Sequence, residues 1–302
     1  MTPDPVLSYS LLSHVITIRG VASSPTLPDR LDALLGSHIE SRRHDRQHNG
    51  AILTLRREGD VWRLVDPDDG VPDTPLHTEE QAARFLEWLA YSVAVRHAEL
   101  PLTLHSGAVV RNGVAVLLPN VSGAGKTTLT LALAARGWLP LTDDVCPLVE
   151  CDGELVAIGC RRCCHLSEAS LAILQAEGIA LEGPVAGLSD FYRPQDWAEP
   201  APVRGIVIPR YIAGSPTLFT PITQAECLGQ LTGMTFAQDT IPAHERRRNA
   251  ARLAAKASGF TLTYSALDEA LDIFETLEAR IVDSSLTEAS RIPAIIHSNT
   301  SA

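Results

Sequence analysis

Apolar and polar positions alternate with a strand period along residues 6–19, and again along Ala51–Leu55 and Val61–Val65. The latter two runs flank Glu58-Gly59-Asp60 and predict a β-hairpin. Between the first run and Ala51, Pro28 to Leu35 fits one short helix, and Ser41 to Gly50 is polar and basic, which predicts a loop. Asp66 to Pro75 is rich in Asp, Pro and Gly and marks a boundary. Residues 1–76 therefore read as a small α+β domain.

The grain then changes. Thr78-Glu79-Glu80-Gln81 has the spacing of a capping box. Phe85, Leu86, Leu89, Ala90 and Val93 recur at helical spacing, predicting a helix to about Glu99 that buries one face and joins two domains. Leu102–Val110 and Val114–Leu118 predict a second hairpin across Arg111-Asn112-Gly113. A glycine-rich segment follows, then an apolar helix from Leu129 to Ala135 stopped by Arg136-Gly137. Trp138–Thr142 is a strand ending in Asp143-Asp144, and Val145–Val149 with Leu155–Ile158 forms another hairpin. Beyond it come a helix at Ser167–Gln175, an irregular stretch at 178–202, and strands at Gly205–Pro209 and Thr217–Phe219. Helices at 223–233 and 243–257, a strand at 260–264 and a helix at 266–278 complete the pattern. Residues 77–285 read as one α/β domain and 286–302 as a frayed tail.

Composition narrows the classes. The 302 residues carry a net charge of −11, which argues against general nucleic-acid binding. No apolar run approaches the roughly 20 residues of a membrane span. The start of the chain lacks the basic-then-apolar pattern of a signal peptide, so a cytoplasmic protein is expected. Cys160-x-x-Cys163 with Cys164-His165 has zinc-like spacing, but its neighbours read as strands, where free cysteine packs as a small hydrophobe.

The segment between the hairpin and the apolar helix is Asn120-Val121-Ser122-Gly123-Ala124-Gly125-Lys126-Thr127-Thr128. Strand, glycine-rich turn, lysine, hydroxyl and helix is the layout of a phosphate-binding loop. Backbone N–H groups of 122–128 and the helix N-terminus would cradle anionic oxygens, with Lys126 on the terminal phosphates. Thr127 would ligate Mg²⁺. The chain has only two lysines, Lys126 and Lys256, so a lysine at this position carries weight. Its first loop position is Asn120 rather than glycine; Asn tolerates left-handed backbone better than most residues.

Asp143 and Asp144 close the next strand, at the sheet edge where α/β proteins bind ligands. Neighbouring residues of a strand face opposite ways, so the two acids are expected to have different roles, one on the metal and one accepting a proton. His105, in the first strand of the hairpin, is expected beside Asp143.

His105-Ser-Gly-Ala-Val-Val-Arg-Asn-Gly-Val-Ala-Val-Leu-Leu, then Ser122-Gly-Ala-Gly-Lys-Thr-Thr, then Arg136-Gly-Trp-Leu-Pro-Leu-Thr-Asp143-Asp144 resembles the kinase domain of HPr kinase/phosphorylase. It is closer to stand-alone HPr-kinase-like proteins such as lasso-peptide kinases, whose fold resembles the nucleotide-binding part of phosphoenolpyruvate carboxykinase. The resemblance covers residues 102–150 well and does not extend to the N-terminal part. It implies that Lys126 and the 122–126 backbone bind the β- and γ-phosphates of ATP, with Thr127 on Mg²⁺. It further implies that Asp143 is the general base and His105 its support, with Asp144 a neighbouring acid that we place on the metal. The family's downstream acidic motif falls where this chain has Arg161-Arg162-Cys163-Cys164-His165, and its basic loop where it has Glu245-Arg246-Arg247-Arg248-Asn249. These departures weigh against phosphorylase activity and against HPr as substrate.

The expected activity is ATP- and Mg²⁺-dependent phosphorylation of a hydroxyl on a peptide, a protein or a small molecule. The other reading is a catalytically weak nucleotide-binding regulatory module; GTP or pyrophosphate as donor also stays open. The arginines 246–248, and Arg42, Arg43 and Arg46, are either solvated faces or a patch for an acidic group. The HPr enzyme forms rings, which leaves a homo-oligomer open here.

Overall fold

The computed structural model describes residues 6–21, 24–36, 50–65, 71 and 73–285. Arg42, Arg43 and Arg46 and the tail at 286–302 lie outside the described residues.

Two sheets organise the chain. The first holds β1 (Leu7–Leu11), β2 (His14–Arg19), β3 (Ala51–Glu58) and β4 (Val61–Val65), in that order. Only the β2–β3 pair is parallel; α1 (Leu27–Leu35) lies in the connection, as a parallel pair requires. Pro28 stands in the first turn of α1, where a missing N–H costs nothing. α2 (Glu79–His97) packs on α1, β1 and β2 through Ala82, Ala83, Leu86, Leu89, Ala90 and Val93. The Thr78 hydroxyl accepts from the Gln81 N–H at 3.1 Å, while the Gln81 side chain takes the His77 N–H at 2.7 Å. The helix is thus capped one residue further out than a reciprocal box. The same core takes in Val145, Cys160, Cys163, Leu188 and Phe191 from the second half of the chain.

The second sheet is mixed and holds eight strands. Its order is β14 (Leu218–Pro221), β15 (Ser258–Tyr264), β13 (Ala201–Tyr211), β6 (Val114–Pro119), β5 (Leu102–Arg111), β8 (Val145–Cys151) and β9 (Glu154–Ala157). β7 (Leu139–Thr142) pairs with the far end of β5. β9 returns to pair with the start of β13, so five strands close on themselves. β6, β13 and β15 run parallel, and their carboxyl ends share one edge.

Both faces of this sheet are covered, which explains why β6 is apolar at every position. Val114, Val116 and Leu118 face α3 (Lys126–Ala135) and α7 (Leu267–Ser285); Ala115 and Leu117 face α5 (Gln224–Gly233) and α6 (Ala243–Lys256). A reciprocal capping box, expected at Thr78–Gln81, is found instead at α5, where Thr223 and Glu226 exchange hydrogen bonds.

The stretch 178–202 is more ordered than its composition suggests. It carries β11 (Leu181–Glu182), a 3-10 turn at Val185–Gly187 and β12 (Phe191–Pro194), and β12 also pairs with β10 (Cys164–His165). β13 starts four residues before its apolar pattern becomes clear, since Ala201 and Pro202 pair with the short β9. α4 (Glu168–Ala176) precedes β11, capped by the Ser167 hydroxyl on the Ser170 N–H. No helix among the described residues is long and apolar enough to cross a membrane.

Candidate functional site

The glycine-rich segment joins β6 to α3 at the carboxyl edge of the parallel strands. Its left-handed turns fall on Gly123 (φ 81°) and Gly125 (φ 87°), both glycines. Asn120 does not adopt left-handed backbone, contrary to expectation. It acts through its side chain: Nδ2 donates to the Pro209 carbonyl at 2.6 Å, and Oδ1 accepts the Val121 N–H at 2.7 Å. The amide thereby ties the loop to the end of β13, which a glycine cannot do. Asn120→Ala is expected to cost about 1–2 kcal/mol of stability, read as a lower urea midpoint.

Gly125 is the N-cap of α3 and has no side chain to satisfy the first helical N–H groups. That leaves a positive helix end open toward the cleft. The Lys126 side chain is buried, and its Nζ donates to the Val121 carbonyl at 3.0 Å, folded across the loop. Burial pulls its ammonium below the ordinary range, with Asp144 and Asp143 pushing the other way. An incoming phosphate would replace a neutral carbonyl as its partner and add charge to the contact.

Asp143 and Asp144 follow β7 and diverge, each with different neighbours. Thr127 Oγ1 donates to Asp143 Oδ2 at 3.1 Å. Asp143 Oδ1 is buried and has no hydrogen-bond partner among the described residues. The Cys164 thiol lies near enough that the Asp143 charge helps to raise it, after burial. Burial, then the adjacent Asp144, lifts Asp143 from 3.8 to about 7, against the pull of Arg162 and Thr127.

His105 contacts Asp144 rather than Asp143, as the reverse of the expected pairing. Its Nε2 lies 2.8 Å from Asp144 Oδ1. The register explains this: His105 stands opposite Val145 in the β5–β8 pair, and the Ser106 N–H bonds the Asp144 carbonyl. On the other side Arg162 Nη1 donates to Asp144 Oδ2 at 3.0 Å. Burial alone would raise Asp144, but the His105 hydrogen bond and the Arg162 charge outweigh it and hold the carboxyl below its usual range.

Arg162 and Glu87 are the members that sequence reasoning missed. Arg162 donates to both Glu87 oxygens, at 2.6 and 3.0 Å, and lies over the Tyr91 ring at 5.1 Å. Glu87 is 1% exposed, on the same α2 stripe as Ala83 and Ala90. An acid on an apolar helical stripe was the signal that could have found it.

Two clefts meet at Asp144, and Asp143 lines one of them. One, of about 780 Å³, lies over Ser122, Gly123, Lys126, Thr127 and Thr128. The other, of about 320 Å³, is lined by Asp143, Arg84, Glu87, Trp88, Arg162 and Phe191 among others. Ser122, Thr127, Asp144 and His165 line both. Ala124, though in the loop, lines neither of them.

The Asp143 environment makes a stability prediction for the ligand-free protein. Between its ordinary value of 3.8 and about 7, the folded protein holds a proton that the unfolded chain has released. Stability from this group is therefore complete at low pH and lost as the pH rises. Between about pH 5 and about pH 7 the loss is roughly 2 kcal/mol. Urea denaturation should show a flatter pH slope for Asp143→Asn; equal slopes in both proteins would contradict the assignment.

The other sequence candidates lie elsewhere. Arg246 donates to the Gln238 and Ile241 carbonyls, and Arg248 pairs with Glu245. α6, which carries them, packs on the sheet face opposite α3. All six cysteines are free and all but Cys151 are buried. Burial pushes the Cys160 thiol up to about 12, as expected for a thiol packed in an apolar core. Among the described residues no group of three or more His, Cys, Asp or Glu could hold a metal ion.

No protein-family model matches the chain, and no curated protein does. Among solved structures, the Hpr(Ser) kinase/phosphatase from Coxiella burnetii is similar at 13% identity and a TM-score of 0.32, covering 61% of this chain and 98% of that one. A similarity that distant decides nothing about the reaction, so a functional reading has to come from the site.

Proposed function

We propose that the chain is a phosphotransferase that takes ATP with Mg²⁺ and passes the γ-phosphoryl group to a hydroxyl of a peptide, a protein or a small molecule. The observation that carries this reading is the meeting of two clefts at Asp144, one over the glycine-rich loop and one beyond it that Asp143 also lines. A nucleotide-binding module has use for the first cleft alone.

The loop N–H groups from Ser122 to Lys126 and the open end of α3 hold the phosphate oxygens. Lys126 turns from the Val121 carbonyl to the terminal phosphates. Thr127 and Asp144 are the residues to hold Mg²⁺. A hydroxyl, a carboxylate and substrate phosphates make a donor set that suits it, since magnesium usually binds few protein ligands. Bound there, the ion neutralises phosphate charge. Asp143 Oδ1, the unpartnered oxygen, accepts the proton of the acceptor hydroxyl as the new O–P bond forms and the bond to ADP breaks. His105 and Arg162 fix Asp144.

A second assignment has one observation in its favour. Thr127 bonds Asp143, and a loop hydroxyl beside an acid is the usual magnesium pair. Asp143 would then hold the metal, and Asp144 with His105 would take the proton. Mn²⁺ titrations of Asp143→Asn and Asp144→Asn, each with ATP present, separate the two: the metal ligand is the one whose loss weakens Mn²⁺.

The test of the function is incubation with Mg²⁺, γ-labelled ATP and hydroxyl-bearing peptides and metabolites. Transfer supports the kinase reading. Tight ATP binding with no transfer to any acceptor, water included, supports a regulatory module instead.

A further inference from the structure

The cleft over the glycine-rich loop extends well past the phosphate-binding residues, and its far part has its own chemistry. β13 and β15 are parallel neighbours that end in register on Tyr211 and Tyr264. β6, on the other side of β13, ends in the loop itself. Asn120 bonds the Pro209 carbonyl and so ties the loop to the strand that ends in Tyr211. Topology therefore delivers two aromatic rings beside the phosphate cradle.

The rings are unlike each other. Tyr264 is 3% exposed and Tyr211 is 50% exposed. Burial, then Tyr211, pushes the Tyr264 phenol up to about 12, so it stays neutral. A Cβ at Gly125 would lie 2.7 Å from the Tyr264 hydroxyl and 3.6 Å from Tyr211 Cβ, so both tyrosines abut the first turn of α3. The two rings meet edge to face, with centroids 5.8 Å apart and planes at 72°. Tyr264 thus holds Tyr211 in place and leaves much of it open. α4 supplies Ala169 and Ile173 to the lining of the same cleft, and α7 supplies Leu267. Ile173 is 40% exposed.

Resting on the nucleotide reading above, we propose that Tyr211 is the platform on which the nucleobase of the donor stacks. The cleft, at about 780 Å³, has room for more than a triphosphate. Every nucleobase has a π-face, and base–aromatic stacking does not depend on a matching hydrogen-bonding edge. A ring already fixed by Tyr264 loses little freedom when the base arrives. Ser265, the polar residue next to Tyr264, gives its hydroxyl to the Ser215 carbonyl. Affinity for the donor is thus divided between a loop that reads phosphate and a ring that reads the base.

Calorimetric titration with Mg-ATP and with Mg-tripolyphosphate, which has no base, tests this division. Tyr211→Ala should weaken ATP about ten- to a hundredfold while leaving tripolyphosphate within about twofold. Tyr211→Phe keeps the ring and should hold ATP near the wild-type value. An equal loss for both ligands in Tyr211→Ala would make the tyrosine a prop for the loop, and unchanged ATP affinity would remove it from the site; either result overturns the proposal. If the wild-type protein binds neither ligand, the nucleotide reading itself falls, and the platform with it.

Discussion

Asp143→Asn is expected to lower phosphoryl transfer by about a thousandfold or more, while ATP affinity stays within a fewfold of wild type. The side chain keeps its shape, and its amide oxygen can still accept the Thr127 hydroxyl, so the loop and α3 should keep their positions. What disappears is the carboxylate oxygen that is buried without a partner. An oxygen in that state pays for desolvation in the resting protein and is repaid when a donor arrives. The acceptor hydroxyl is that donor, and Asp143 lines the cleft next to the glycine-rich loop. Single-turnover transfer, with ATP binding measured in parallel, checks the outcome. Full transfer by the variant would move the base to Asp144; a matching loss of ATP affinity would place Asp143 on the nucleotide side.

How much of this was legible in the chain follows the range of the interactions. The hairpin of β5 and β6, the loop and α3 are contiguous, so local spacing was enough to place Ser122 to Thr128 and the two acids. The parallel set of β6, β13 and β15 was less visible, because Ala201 and Pro202 become strand only by pairing with β9. The partner of His105 depended on register: a shift of one residue along the β5–β8 pair exchanges Asp143 for Asp144. Asn120 was read for its backbone tolerance, whereas its contribution is a bond to Pro209, a residue that local spacing could not supply. Arg162 and Glu87 stand 75 positions apart; Arg162 sat in a run read only as a departure from the family's acidic motif, and Glu87 has no motif around it. Only the buried acid on the α2 stripe hinted at a missing cation.

That pair supports the second large prediction. Arg162→Met should destabilise the protein by roughly 3–5 kcal/mol, the usual result of stranding one half of a buried ion pair. Glu87 has no access to water at 1% exposure, and Arg162 supplies both of its oxygens with donors. Burial would lower the arginine, yet Glu87 and Asp144 together keep it firmly charged. Removing the glutamate as well tells a structural pair from a functional one. Glu87→Leu with Arg162→Met leaves no stranded charge on α2, and buried pairs replaced by apolar side chains are often neutral or up to about 4 kcal/mol more stable. The urea midpoint should therefore recover in the double variant. Transfer should not, because Asp144 loses the Arg162 bond in both variants and keeps only His105. Recovery of stability and transfer together would make the pair a packing device. Recovery of stability alone means that α2, which packs with the N-terminal sheet, reaches the site through Arg162 and sets the position of Asp144.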